Sequence, residues 1–256
     1  MTAPTTRIPP RATAAARAAA VLCEIAAPAV LVTALLVHIS LDDAPDTWTG
    51  LLWAAMSIAF GTIIPMAFVF HGVRGGKWSD HHVPERSRRL APMLFGAASV
   101  TAGHLLLQVA GAPTTLIAVY TAILAETLVL AAITKFWKIS GHVAAAASCA
   151  TVLTLTDSLL SLPAWLLVPL IAWARVQIRA ARLEALSTSA GPAVPAGPAV
   201  PAGPAVPGGP LRQPSLQDLD ELDGHTLAQT AAGALVATVL VTATYLAVVH
   251  LAAPGA

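Results

Sequence analysis

The chain has 256 residues, 56% of them hydrophobic and only 11% charged, with 14 Lys and Arg against 13 Asp and Glu. A soluble domain carries about 25% charged residues, so this composition excludes an ordinary water-facing globule. The net charge of +1 gives no footing for nucleic-acid binding, and lipid is the solvent the composition fits.

Arg7, Arg11 and Arg17 stand in a tail, residues 1–17, ahead of an apolar run at 18–41. That run exceeds the apolar core of a secretory signal, and bulky Leu22 sits where a lipoprotein site at Cys23 requires a small residue. The segment is expected as a retained first span. Apolar runs follow at 51–72, 90–110, 114–134, 142–157, 160–178 and 227–252, the fifth being short. About 20 residues of helix cross a hydrocarbon core, and backbone groups in lipid must be satisfied within the segment. The expected architecture is an all-α integral membrane protein, a bundle of about six or seven transmembrane helices. Pro28, Pro65 and Pro169 fall inside runs and predict kinks. Small residues at 144–147 and 231–234 predict close helix approach. Cys23 and Cys149 lie in apolar runs and read as buried hydrophobes, without disulfide or zinc spacing.

Residues 187–224 differ in kind. A Gly-Pro-Ala-Val-Pro-Ala unit repeats nearly three times over 191–207, and an acidic stretch with Asp218, Asp220, Glu221 and Asp223 follows. Such Pro density forbids helix and favours extended, solvated backbone. This stretch is expected as a loop outside the membrane, interrupting one helical domain made of 18–186 and 225–256.

Counting spans places every Lys and Arg on the side of the N-terminus: Arg7, Arg11 and Arg17 in the tail, then Arg74, Lys77, Arg86, Arg88 and Arg89, then Lys135 and Lys138, then Arg175, Arg179, Arg182 and Arg212. The opposite loops hold Asp42, Asp43, Asp46 and Asp157. The excess of basic residues marks the cytoplasmic side, here of a bacterial inner membrane. Lys77, Lys135 and Lys138 read as orientation anchors.

Three polar segments share that side. The first runs Ser79-Asp80-His81-His82-Val83-Pro84-Glu85-Arg86-Ser87-Arg88-Arg89; the second is Lys138-Ile139-Ser140-Gly141-His142; the third is split between Arg175 and Gly224-His225-Thr226-Leu227-Ala228-Gln229. Guanidinium groups match phosphate oxygens with paired hydrogen bonds, so Arg86, Arg89 and Arg175 can form an anion clamp. Ser140 and the N–H groups of Gly141 and His142 open a helix, whose N-terminus favours anions. Of the two imidazoles His142 and His225, one can attack phosphorus and the other protonate a leaving oxygen. Arginine charge can stabilise the phosphoryl oxygens without a metal or other cofactor.

These segments resemble the signature of the type 2 phosphatidic acid phosphatase superfamily, which includes the vanadium haloperoxidases, and in particular a divergent bacterial branch of it. Ile139-Ser140-Gly141-His142 matches a Pro-Ser-Gly-His motif. Ala174-Arg175 and His225 to Gln229 match Ser-Arg, five residues, His, three residues, Asp, with a long insertion between the halves. His82, six residues and Arg89 match Lys, six residues, Arg-Pro, with Pro92 displaced. The resemblance spans roughly residues 72–251. It implies that His225 is a nucleophile forming a phosphohistidine and that His142 is the general acid. Arg86, Arg89, Arg175 and the Ser140-Gly141 turn would hold phosphate, with Asp80 and His82 auxiliary. Gln229 takes the place of the Asp that accepts the nucleophile's Nδ1–H; its carbonyl can accept that bond but adds no negative charge. The implied substrate is a membrane lipid phosphate, either a glycerolipid or a polyprenyl phosphate or diphosphate.

Two other classes compete. A non-catalytic lipid-phosphate binder or transporter keeps the arginine clamp and makes no chemical use of His225. An aspartate-rich prenyltransferase needs paired Asp motifs for magnesium, and Asp80 has no second Asp three or four residues on. Glu24, His38, His104 and Glu126 fall at membrane depth, where ionisable groups are costly and purposeful. Glu126 is expected to pair with Gln108 or His104, or to serve substrate or transport.

Overall fold

The computed structural model describes residues 13–78, 81, 83, 88–156, 158–189 and 222–252. Among them every regular element is a helix. Proline shapes the first two spans. The first apolar run is broken at Ala26 and Ala27 into α1 (Ala14–Ile25) and α2 (Pro28–Asp42), bent by 40°. Pro28 opens α2, where its missing N–H is no loss. In the second span α3 (Thr47–Ile58) passes through a π-helical stretch, Ala59–Ile63, into α4 (Ile64–Arg74). Pro65 cannot donate to the turn before it. The wider turn absorbs this: Ile64 N–H reaches back to the Ala59 carbonyl, and Ser99 Oγ donates to the Phe60 carbonyl at 2.7 Å.

The remaining elements are α5 (Leu90–Val109), α6 (Thr114–Thr134), α7 (Gly141–Leu155), α8 (Ser161–Ser189) and α9 (Leu227–Ala252). Among the described residues five helical stretches are long and apolar enough to cross a membrane, six if the bent α1–α2 pair counts as one span. At most 44% of the apolar window of any of the five is buried. Leu159, Val109, Phe136, Leu251 and Trp48 stand more than 80% exposed. Apolar surface on that scale needs a cover of lipid or protein.

α7 is the exception. Fifteen residues rise only about 22 Å, short of a hydrocarbon core, yet every residue from His142 to Leu153 is buried. Its alanines let α8 and α9 approach closely, as the small-residue run predicts. A Cβ on Gly233 of α9 would stand 2.7 Å from the Ser140 carbonyl, so α9 lies directly on the start of α7. α8 keeps its helix well past the expected end at 178 and carries Pro169 inside it. Arg175 is therefore a mid-helix residue, not a terminal one. Of the expected loop at 187–224, residues 190–221 lie outside the described residues; Leu222 is held by Lys138, and Asp223 and Gly224 lie against α8.

Contacts separate the two ends of the bundle. At one end Trp53 Nε1 donates to the Ala110 carbonyl, and His38 Nε2 lies 3.3 Å from Ser158 Oγ. At the other, Ser140 N–H donates to the Gln229 carbonyl and His225 N–H to the Arg175 carbonyl. The second end is where the described parts of the three polar segments gather.

Candidate functional site

Three backbone junctions build the site. Ser140 caps α7, its Oγ accepting from Val143 N–H at 3.5 Å. Gly141 follows, and a Cβ placed there would meet nothing within 4 Å, so open space lies beside the first turn of α7. Thr226 and Gln229 close a reciprocal capping box at the start of α9: Thr226 N–H donates to Gln229 Oε1 at 3.0 Å, and Gln229 N–H donates to Thr226 Oγ1 at 3.3 Å. Between these caps Gly224 adopts φ +85° and presses on α8; a Cβ there would sit 2.5 Å from Arg179 N and 2.7 Å from the Arg175 carbonyl. Only glycine combines that backbone angle with that approach. Its seat brings His225 N–H onto the Arg175 carbonyl at 3.1 Å.

The His225 ring is 1% exposed and both of its nitrogens are engaged. Arg175 Nε lies 3.4 Å from Nδ1, and Nε2 lies 3.1 Å from the Ile139 carbonyl. A guanidinium only donates and a carbonyl only accepts. The ring is therefore the Nε2–H tautomer with its lone pair on Nδ1. Burial drives its pKa well below the usual histidine value, and the charges of Arg175, Arg89, Lys138 and His142 push the same way.

Arg175 is itself fixed by Asp223, Nη2 to Oδ1 at 2.7 Å, and Asp223 also accepts from Gly224 N–H at 2.7 Å. Burial alone would raise the Asp223 carboxyl; Arg175, Gly224 N–H and Lys138 together bring it below its ordinary value. Lys138 is fully buried, donates to the Leu222 carbonyl, and is lowered to about 7 by burial and then by Arg89. Arg89, half-buried at the start of α5, donates from Nε to the Val83 carbonyl at 2.8 Å. Val83 holds φ +43°, a left-handed angle costly for a β-branched residue.

Part of this cluster opens on a cavity of about 380 Å³ between the helices. Arg89, Gly141, His142, Arg175 and His225 line it, as does His81, whose Nε2 stands 3.3 Å from Glu24. From that polar mouth the cavity runs inward along one face of α6 and one face of α7, past Leu130 and Ala145 to Glu126 and Ser148, and on to Val119 and Val152.

Five of the sequence-expected residues thus share one cavity: Arg89, Gly141, His142, Arg175 and His225. Two do other work. Ser140 is fully buried as the cap of α7 rather than presented to a ligand. Gln229 spends its carbonyl on Thr226 N–H, while His225 Nδ1 faces Arg175, so Gln229 does not orient the imidazole. Arg86, Asp80 and His82 lie outside the described residues. Two assignments are corrected outright. Lys138, read from the sequence as an orientation anchor, is a buried member of the charge cluster, and Asp223 belongs to the site rather than to a linker. Glu126 pairs with Ser148, whose Oγ lies 2.6 Å from Oε2, and not with Gln108 or His104.

No protein-family model, curated protein or solved structure matches the chain. The phosphatase resemblance therefore rests on the motif residues alone.

Proposed function

We propose that the chain is a multi-pass inner-membrane phosphatase that hydrolyses a phosphomonoester or diphosphate of a glycerolipid or polyprenyl lipid. One observation carries this reading: two arginines and two imidazoles from three separated segments line the mouth of one cavity whose interior is mostly apolar. An anion with a long apolar tail has the matching polarity. Arg89 and Arg175 would take the phosphoryl oxygens, and Gly141 and His142 N–H at the start of α7 add two donors with open space in front of Gly141. The tail would lie between α6 and α7.

In the proposed reaction Arg175 turns from the His225 ring to a phosphoryl oxygen and uncovers the Nδ1 lone pair. Nδ1 attacks phosphorus, the ester P–O bond breaks, and protonated His142 gives its proton to the departing alkoxide. The ring, now positive, keeps its Nε2–H on the Ile139 carbonyl, which does the orienting work expected of Gln229. Neutral His142 then takes a proton from water; the water oxygen attacks phosphorus, the P–N bond breaks, and phosphate and neutral His225 are regenerated. Arginine charge rather than a metal stabilises the transition state in this scheme.

The basic loops support a mouth on the cytoplasmic face. A reporter fused near Ser189 reads this directly, and a periplasmic signal overturns the orientation. Hydrolysis is tested by phosphate release from a panel of lipid phosphates, with and without EDTA, by wild type and by His225→Ala and His142→Ala. Release that both variants retain removes the mechanism.

A second reading has its own support. Arg175 is paired with Asp223 and His225 is engaged at both nitrogens, an arrangement that also suits a binder or transporter of lipid phosphates. Saturable binding of a lipid phosphate without release by wild type selects it.

A further inference from the structure

The cavity is polar at a second place, deep between the helices. On α7 the residues facing it recur with helical spacing, from Gly141 and His142 through Ala145 to Ser148, Cys149 and Val152. On α6 the facing residues include Thr134, Leu130 and Glu126. Leu130 and Ala145 separate the cationic mouth from Glu126 and Ser148, and Val119 and Val152 lie beyond. Ser148 is six residues inward from His142, about 9 Å along the helix axis.

Ser148 Oγ lies 2.6 Å from Glu126 Oε2. Among the described residues Ser148 is the only hydrogen-bond partner of Glu126, and Oε1 is not among the fully enclosed, unpartnered polar atoms. Oε1 is therefore left to the cavity that Glu126 lines. A carboxyl group at this depth is expensive to keep in an apolar wall, and an acceptor aimed into a ligand cavity rewards a ligand that brings a donor.

We infer that Glu126 and Ser148 form a second, deep subsite, which selects lipid phosphates whose tail carries a hydrogen-bond donor, a hydroxyl or an amide N–H, about 9 Å from phosphorus. The inference rests on reading the cavity as a lipid-phosphate site. It adds a specificity that the mouth alone does not have: the mouth reads the anion, and the deep subsite reads the tail. An unbroken hydrocarbon tail leaves Oε1 unpaired against methylene groups and binds less well. Beyond the subsite the tail runs past Val119 and Val152.

The experiment uses full-length protein in detergent and two non-hydrolysable alkyl phosphonates of equal length. One is plain and one carries a hydroxyl about 9 Å from phosphorus; binding is measured by titration calorimetry. Wild type should bind the hydroxylated ligand about tenfold more tightly, the scale of one hydrogen bond to a carboxylate. Glu126→Leu, which removes the acceptor, should bring the two affinities to within about twofold by relieving the plain ligand, whereas Ser148→Ala, which leaves Oε1 in place, should keep the preference. Glu126→Gln, which keeps shape and an acceptor, should retain part of the preference and serves if Glu126→Leu fails to fold. Equal binding of both phosphonates by wild type overturns the subsite and leaves the lipid-phosphate reading standing. If wild type binds neither phosphonate and releases no phosphate from any lipid, the lipid-phosphate reading falls and takes the subsite with it.

Discussion

Arg175 Nε directs its hydrogen at His225 Nδ1 across 3.4 Å, and this single contact decides which ring nitrogen carries the lone pair. Because the Ile139 carbonyl takes Nε2–H on the far side, a phosphoryl group accepted by His225 should be linked to Nδ1. Trapping the phosphoenzyme and identifying the isomer by phosphorus NMR checks this, and an Nε2-linked phosphohistidine contradicts it. The same contacts set a pH dependence. The pKa of His225 is held well below the ordinary value by burial and then by Arg175. Below about pH 6.5 the unfolded ring takes up a proton that the folded ring refuses. Stability from this group is thus fully present above pH 6.5 and declines as the pH falls, and His225→Asn should flatten that decline in denaturation curves.

Gly224 and Gly141 make a matched pair. A methyl group at 224 meets α8 backbone at 2.5 Å and requires a left-handed angle as well, whereas one at 141 meets nothing within 4 Å. Gly224→Ala should therefore destabilise the protein by about 3 kcal/mol, combining left-handed strain with overpacking. Gly141→Ala should leave the melting temperature nearly unchanged but weaken phosphonate binding by filling the space in front of the α7 N–H groups. Thermal melts in detergent and titration calorimetry separate the two.

Much of this arrangement is legible in the residues. Seven apolar runs foretell the helices, because a chain this apolar is expected in lipid, where a helix satisfies its own backbone. Pro28 marks the break between α1 and α2 because it fits the first turn of a helix and not its interior. The reach of α8 past 178 is not legible, since hydropathy tracks the apolar stretch and α8 continues as an amphipathic helix through Arg179 and Arg182. Within the site, arginines and histidines announce themselves by type and side, whereas Lys138 looks like any other interfacial lysine. Its burial depends on Leu222 arriving from 84 residues away. Asp223 is hidden by the acidic run it closes, although its place two residues before His225 is the one local signal that could have separated it. Gln229 shows how a real local signal can be misassigned. Thr226-Leu227-Ala228-Gln229 is a capping-box sequence as well as a motif fragment, and the capping role is the one its side chain plays.

Gln229→Ala should cost about 1 kcal/mol of stability through loss of the box. Phosphate release per folded molecule should stay within about twofold, because Gln229 has no part in holding the His225 ring. If Gln229→Asp raises the rate constant by more than tenfold, the residue acts on the imidazole and the capping explanation is insufficient.

Lys138 should make anion binding depend on pH around neutrality. Its pKa is lowered from 10.5 to about 7 by burial, then by Arg89, with Asp223 pulling it partly back. Since the folded value lies below the unfolded one, the stability this group contributes is fully present above pH 10.5 and has been lost once the pH has fallen through about 7. Binding runs the other way. As the pH falls from 8 to 6 the buried amine gains a charge beside Asp223 and Arg175, and the potential at the mouth becomes more positive. An alkyl sulfate keeps a constant charge over this range, so any change in its affinity reports the protein. Wild type should bind it about tenfold more tightly at pH 6 than at pH 8, the scale of one added charge at short range in a partly screened site. Lys138→Met, which never gains the charge, should abolish that gain. Lys138→Arg, which never loses it, should bind at the wild-type low-pH level throughout. A wild-type curve that is flat from pH 8 to 6, or one that persists in Lys138→Met, would show that another group sets the potential at the mouth.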